Sequence, residues 1–347
     1  MKKKKLFMIL ALSLAVTACG NEAKDSKTST EVKEEVNKDA DQNQEIKTDS
    51  DQNQETKTIY TSFYPIYNLT KQIAGDKFDV VSFNSLTTES HDFEPSAKEI
   101  AELSKSSLMF MNGADMENWK DSVEESVDIE MVDTSAGLDL IKTDEEDDHD
   151  HDHEDADHDH EEEADDHDHH HQHGDFDPHT WLSPKNAKAQ AKVIADKLSE
   201  VDPANKDYYE ANYKKIAAEF DSIIEEYTEK FAGVENKKFI VPHEAFGYVA
   251  IDFDLEQIPL ASLTSTADPD AKVMKEVTDL AKAEQIKTVF FEKGGSDKAA
   301  KTIADEIGAE TAQLSTMEFA SQEELDKGVT LQEIIKENLE NIYKSLA

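Results

Sequence analysis

Residues 204–231, ANKDYYEANYKKIAAEFDSIIEEYTEKF, form the longest helix that the sequence predicts. The preceding Asp202-Pro203 pair is a typical helix start signal. Large apolar side chains then recur at intervals of three and four, which places them on one face of a helix. They are Tyr209, Tyr213, Ile216, Phe220, Ile223, Tyr227 and Phe231. At 1.5 Å per residue the helix would be about 40 Å long, enough to run along two lobes, although the spacing also fits a surface helix of one domain.

Short β-rich runs alternate with helical patterns on both sides of this helix. The runs are TIYTSF from Thr58, DVVSFNSL from Asp79, SLMFMNG from Ser107, KKFIVPH from Lys237 and KTVFFEKGG from Lys287. Helical patterns such as PSAKEIAELSK and DKAAKTIADEIG lie between them. This alternation predicts βαβ units and parallel sheets, an α/β fold.

The charge of the chain restricts its partners. It has 347 residues, with 36 Lys and Arg against 78 Asp and Glu, and a formal net charge of −42. The negative electrostatic potential of such a chain disfavours binding to nucleic acid and to anionic lipid surfaces, and it makes a cation the natural ligand. The single cysteine, Cys19, excludes an internal disulfide.

The first 19 residues, MKKKKLFMILALSLAVTAC, combine four lysines with an apolar run too short to span a bilayer comfortably. We interpret residues 1–18 as a signal peptide. The Val-Thr-Ala-Cys ending resembles the bacterial lipoprotein box, so we predict that Cys19 carries a lipid anchor; the alternative is an ordinary cleaved signal. The residues that follow, up to residue 57, are almost all polar and cannot bury enough apolar surface to offset the entropy lost on ordering. We therefore predict that residues 19–57 form a disordered tether.

Ten of the thirteen histidines lie between His149 and His173, in an acidic tract. Residues 144–177 hold nineteen Asp and Glu and no lysine. We predict that the loop 144–174 is disordered without metal and offers several weak, interchangeable metal sites. The alternative is a solvated acidic linker.

The other three histidines, His91, His179 and His243, stand at the ends of strand-like runs or in proline-containing turns. Glu292 ends the apolar run TVFFE. Ligands of open α/β sheets bind outside the carboxyl ends of the strands, where these four side chains would converge.

Four segments carry a resemblance to a known family. They are SHDFEPS (90–96), DPHTWLSP (177–184), VPHEAFGY (241–248) and VFFEKGGSDK (289–298). In this order they resemble the signature segments of the zinc- and manganese-specific solute-binding proteins of bacterial ABC importers. The resemblance implies two lobes, each a mostly parallel four-stranded sheet with flanking helices, bridged by one long rigid helix. The implied organisation is an N-terminal lobe at 58–203, a linking helix at 204–232 and a C-terminal lobe at 233–347.

The resemblance also implies that His91, His179, His243 and Glu292 bind the metal. Three imidazoles and one carboxylate suit tetrahedral Zn²⁺, whereas Mn²⁺ prefers more oxygen ligands. Manganese-binding relatives are expected to carry a carboxylate where this chain has His243.

The resulting hypothesis is a monomeric, lipid-anchored receptor at the outer face of the cell membrane. It is not an enzyme, and it captures Zn(II) as a transported ligand and delivers it to an ABC permease. The alternatives are a surface zinc-buffering or adhesion lipoprotein and a zinc hydrolase, which would need an open coordination position and a general base.

Overall fold

The computed structural model describes residues 57–143, 174–263 and 269–347. The predicted signal peptide, the lipidation site Cys19 and nearly all of the tether lie outside the described residues, and so do the ten clustered histidines. Within the described ranges no helix has the length and apolar composition needed to cross a membrane.

Two parallel sheets of four strands each lie in the described part of the chain. The first has the strand order β2-β1-β3-β4, and the second repeats that pattern as β6-β5-β7-β8. In the first half the strands are β1 (Thr58–Thr61), β2 (Asp79–Ser82), β3 (Leu108–Met111) and β4 (Glu130–Asp133). In the second half they are β5 (Lys238–Val241), β6 (Glu256–Pro259), β7 (Thr288–Glu292) and β8 (Glu310–Leu314). The predicted pair of parallel sheets is confirmed.

Helices flank both sheets. In the first half they are α1 (Tyr64–Ala74), α2 (Ala97–Leu103), α3 (Lys120–Glu124) and α4 (Pro184–Val201). The long helix α5 (Lys206–Ala232) follows, and the second half contains α6 (Gly247–Phe253), α7 (Ala271–Ala283), α8 (Lys298–Ile307), α9 (Gln322–Lys327) and α10 (Leu331–Leu346). Side-chain caps define several starts: the Ser183 hydroxyl accepts from the Asn186 amide at the start of α4, where Pro184 is the first helical residue.

Helix α5 is present as predicted and connects the two sheets in the chain. It begins at Lys206, because Pro203–Asn205 form a short 3₁₀ turn first. Six residues of the predicted stripe are buried and Tyr213 is partly buried. The helix packs against α1 and α4 from the first half of the chain and against α6 and α10 from the second half.

One hydrophobic cluster runs through both halves of the chain. It joins Ile66 and Phe110 of the first half to Phe220 of α5 and to Phe239 and Ile335 of the second half. Two smaller clusters pack within single halves, one beneath α2 and α3 and the other beneath α7 and α8. Because the largest core is shared, the two sheets are held together by buried apolar surface as well as by the connecting helix.

The C-terminal helix returns to the first half of the chain. The side-chain oxygen of Asn68 in α1 accepts from the Leu331 amide at 3.0 Å, and its nitrogen donates to the Val329 carbonyl at 2.9 Å. Gln72 and Gln332 pair through their amides. These bonds attach the start of α10 to α1.

Candidate metal centre

Three predicted histidines and one further carboxylate meet in a buried cluster. His91 lies in the turn after β2, His179 precedes the 3₁₀ turn Thr180–Leu182, and His243 follows β5 by two residues. Glu318 lies four residues after β8. One nitrogen or carboxylate oxygen from each residue lies within 4.8 Å of the others, and all four side chains are buried.

The atoms that face the centre are the Nε2 atoms of the histidines and Oε1 of Glu318. The Nε2 atoms of His91 and His179 are 3.2 Å apart. Oε1 of Glu318 lies 3.4 Å from Nε2 of His91, 3.9 Å from that of His243 and 4.0 Å from that of His179.

These separations suit a small tetrahedral cation. In a regular tetrahedron, bonds of about 2.0–2.1 Å to the centre require corners roughly 3.3–3.4 Å apart. The shortest two of the four distances match that spacing, and the other two exceed it by about half an ångström or slightly more. Nε2 of His243 and Oε2 of Glu318 are also buried without a hydrogen-bond partner. An unsatisfied buried polar atom is costly, and a cation bound among the four side chains would satisfy Nε2 of His243.

His179 is oriented by a neighbouring carboxylate. Oδ1 of Asp177 lies 2.8 Å from Nδ1 of His179 and accepts from its backbone amide at 2.9 Å. A proton held on Nδ1 leaves the Nε2 lone pair free to bind a metal, the arrangement that carboxylates impose on metal-binding histidines.

Asn112, directly after β3, holds the chain on both sides of His179. Its amide nitrogen donates to the Pro178 carbonyl at 2.8 Å, and its oxygen accepts from the Thr180 hydroxyl at 2.8 Å. Gln190 donates to the same oxygen from α4. The position of His179 is therefore fixed by strand β3 and helix α4 together.

The loop that carries Glu318 crosses from the second half to the first. The Trp181 indole donates to the Thr316 carbonyl at 2.7 Å, and the Ala320 amide donates to the Leu86 carbonyl at 2.8 Å. These contacts on either side of Glu318 place its carboxylate among histidines from both halves.

Burial and charge decide the protonation of the cluster. Burial, with repulsion from His179, lowers the pKa of His243 to about 3, so this imidazole is neutral at pH 7. Burial opposes ionisation of Glu318, but the hydrogen bond to His91 and the charges of the histidines outweigh it and lower the pKa of that carboxyl. Burial likewise opposes the charged form of His91, and the contact with Glu318 raises its pKa overall.

Glu292, predicted as the fourth ligand, lies beside this group and is not one of its four members. Its Oε2 is 3.6 Å from Nδ1 of His243, the ring nitrogen that faces away from the cluster centre, and its Oε1 accepts from the Thr316 hydroxyl at 2.5 Å. Burial and the nearby carboxylates of Glu318 and Glu89 raise its pKa to about 7. The ligand role of Glu292 stays a prediction. In the structure, the fourth member of the group is Glu318.

Glu318 was not predicted from the sequence. The available signal was its position four residues after β8, the same strand-end setting as the histidines. The segment Glu310–Leu314 mixes polar and apolar residues, so that strand was not recognised from the sequence.

A cavity of about 470 Å³ adjoins the cluster on the side of the second sheet. Glu89, His243 and Glu292 contribute to its wall, together with Phe319. This cavity is a route by which an ion could reach the buried nitrogen and oxygen atoms.

Comparison with known proteins gives one consistent family. The sequence profile of the zinc-uptake complex component A, described as periplasmic, matches residues 59–345. A high-affinity zinc uptake system protein, ZnuA of Bacillus subtilis, is 37% identical over 344 residues, which cover 98% of this chain and 97% of that protein. The zinc-binding lipoprotein AdcA of Streptococcus pneumoniae is 32% identical over 290 residues, 83% of this chain and 55% of that protein.

Solved structures agree with the sequence comparison. The laminin-binding protein of Streptococcus agalactiae, described as having adhesin and metal-transporting activity, aligns with a TM-score of 0.70 at 29% identity over 84% of this chain and 100% of its own. The metal-dependent lipoprotein YcdH of Bacillus subtilis aligns with a TM-score of 0.69 at 35% identity, with the same coverage.

Proposed function

The chain belongs to the zinc-uptake complex component A family, and on that premise we propose that it is an extracytoplasmic receptor that captures Zn²⁺ and delivers it to the membrane permease of an ABC importer. The observation that carries the proposal is the buried group of three imidazole nitrogens and one carboxylate oxygen at near-tetrahedral spacing. Zinc is the transported ligand of this site, with His91, His179, His243 and Glu318 as its ligands.

The donor set favours zinc over manganese. Three of the four donors are nitrogen, and Mn²⁺ prefers carboxylate, carbonyl and water oxygens in an octahedral arrangement. Two acidic neighbours, Glu89 and Glu292, lie near the cluster but contribute no atom to the group of four. The His243 imidazole is therefore the residue on which the selectivity depends.

A receptor also fits the site better than a zinc hydrolase. A catalytic zinc keeps an open position for water, whereas four protein donors converge here. Glu318 is itself one of the four donors and is therefore not free to act as a general base. A tight closed site serves capture and transfer.

The lipid anchor and the monomeric state are parts of the same proposal. The anchor is supported by the lipoprotein-like sequence around Cys19 and by a streptococcal relative that is named a lipoprotein. A receptor held at the membrane surface would meet its permease without diffusing away. Labelling of cells with a radioactive fatty acid should mark the wild-type chain and leave Cys19→Ala unlabelled; equal labelling would contradict the anchor.

Competitive titration with a zinc chelator tests the function directly. The wild-type chain should contain one site much tighter than the rest, and His243→Ala should weaken that site by orders of magnitude. His158→Ala, which removes a histidine of the tract, is the matched control and should leave the tight site unchanged. The wild-type gene should also restore growth in zinc-poor medium to a bacterium that lacks its own zinc receptor. A wild-type chain without a tight zinc site would refute the proposal.

A further inference from the structure

The first turn of α6 belongs to the second half of the chain but contacts the residue that orients His179. The Tyr248 hydroxyl donates to the Asp177 carbonyl at 2.8 Å and accepts from the Ile141 amide at 3.2 Å. The Asp177 amide donates in turn to the Ile141 carbonyl at 2.9 Å. Tyr248 and Asp177 are 4% and 3% exposed, so these bonds are shielded from water. Both backbone polar groups of Asp177 are thereby held in place.

Gly247 approaches the carboxylate of the same aspartate. A Cβ atom on Gly247 would lie 2.9 Å from Oδ2 of Asp177 and 3.1 Å from Cδ1 of Ile141, closer than ordinary van der Waals contact. The absence of a side chain at Gly247 is what allows the Asp177 carboxylate to lie against α6. Its other oxygen, Oδ1, accepts from the backbone amide of His179 and lies at hydrogen-bond distance from Nδ1 of its ring.

We propose that Gly247 and Tyr248 are positioning residues that fix His179 through Asp177 and thereby set how firmly zinc is held. Neither residue belongs to the group of four that would bind the ion. The segment that contains them also supplies His243, four residues before Gly247. One stretch of the second half thus provides one ligand directly and orients a second ligand from the first half.

This arrangement couples the two halves at the metal. Movement of the segment 243–248 away from Asp177 would displace His243 and free the His179 ring to rotate in the same step. Zinc would then lose two ligands together. Such a coupled loss would speed release to a permease, because the removal of a single ligand leaves three others in contact with the ion.

The inference rests on the proposed zinc site, and Tyr248→Phe tests it. This variant keeps the buried ring and removes only the hydroxyl. Loss of a direct partner of a metal ligand lowers affinity by about 10–100-fold, and Tyr248 acts one step further out, through Asp177. We therefore expect zinc binding that is weaker by a few-fold to about tenfold, mainly as faster dissociation. With Co²⁺ in place of zinc, the absorption bands of the tetrahedral ion should shift, because the ring of His179 is less firmly held.

Tyr227→Phe is the matched control. The Tyr227 hydroxyl is also buried and bonds to the Lys336 carbonyl at 3.2 Å, on the contact between α5 and α10. Loss of this hydroxyl should lower the midpoint of thermal unfolding, as loss of the Tyr248 hydroxyl should. It should leave zinc dissociation and the Co²⁺ spectrum unchanged.

Gly247→Ala provides a second route that does not depend on the hydroxyl. The helix preference of alanine offsets only part of the crowding against Asp177 and Ile141, so the apo protein should be somewhat less stable than wild type. The added methyl group should displace the Asp177 carboxylate and speed zinc release. Faster release together with a shifted Co²⁺ spectrum is an outcome that a general loss of stability, as in Tyr227→Phe, would not produce.

A double-mutant cycle identifies the path of the effect. If Tyr248 acts through Asp177, Tyr248→Phe should change zinc dissociation much less in a chain that already carries Asp177→Asn. Wild-type release rates and Co²⁺ spectra in both Tyr248→Phe and Gly247→Ala would overturn the inference and leave the zinc site intact. Failure of the wild-type chain to bind zinc would instead refute the proposed function.

Discussion

Glu318→Gln separates the two candidate carboxylates. Glutamine preserves the shape of the side chain and removes its charge. Oε1 of Glu318 lies 3.4–4.0 Å from the three imidazole nitrogens, so an ion bound among them would contact this oxygen directly. Removal of one partner from a buried charge pair costs about 2–5 kcal/mol. At about 1.4 kcal/mol per tenfold, zinc affinity should fall roughly 30-fold to several thousand-fold.

Glu292→Gln is the paired perturbation. Its carboxylate faces Nδ1 of His243, on the side of the ring away from the other ligands, at 3.6 Å. Loss of such a partner lowers metal affinity by about 10–100-fold, and the long contact favours the lower limit. Glu318→Gln should therefore weaken zinc binding clearly more than Glu292→Gln.

Competition against a chelator of known affinity measures both variants in the same buffer. Glu284→Gln, which removes a carboxylate paired with Lys238 at the start of β5, controls for a general loss of negative charge. If Glu292→Gln were the more damaging change, Glu292 would be the ligand that the sequence indicated, and the assignment of Glu318 would be wrong.

Four further outcomes are expected. His243→Glu should narrow the preference for zinc over manganese, measured by paired titrations, because it adds a second oxygen donor. Deletion of residues 144–174 should leave one tight zinc site and remove the weaker ones; loss of the tight site on calorimetry would show that the tract supplies ligands. Solution scattering of that deletion variant should give nearly the same radius of gyration with and without zinc, and a large change would exclude a rigid connection. Burial raises the pKa of Glu117 to about 7, although its carboxylate accepts from the Asn112 and Gly113 amides, so its contribution to stability is fully present below about pH 4.5 and is lost as pH rises through 7. Glu117→Gln should remove that slope from urea-unfolding measurements, and an unchanged slope would contradict it.

The parts of the fold with a strong periodic signal could be predicted from the sequence. The stripe from Tyr209 to Phe231 identified α5 within two residues of its observed start. The strand before His243 and the strand that ends at Glu292 were found because they are short apolar runs next to turn residues. Their histidine and carboxylate were placed by the rule that ligands collect at the carboxyl ends of parallel strands.

Glu318 could not be distinguished in this way. Sequence places Glu292 and Glu318 near the ends of adjacent strands, and either carboxylate satisfies the same rule. The choice depends on the path of the chain after β8, which two contacts to the first half determine: Trp181 to Thr316, and Leu86 to Ala320. Tertiary contacts of this kind leave no periodic pattern in the sequence.

The amide bonds between α1 and α10 affect the order in which the protein can fold. During synthesis the first half emerges before the last helix exists, and Asn68 and Gln72 then lack their partners at the start of α10. The largest core also lacks Ile335 and Leu339 until α10 docks. The packing of α1 and of the shared core therefore cannot be completed until the final residues of the chain are available. The two sheets should gain and lose their structure in one cooperative transition, although each resembles a domain in outline.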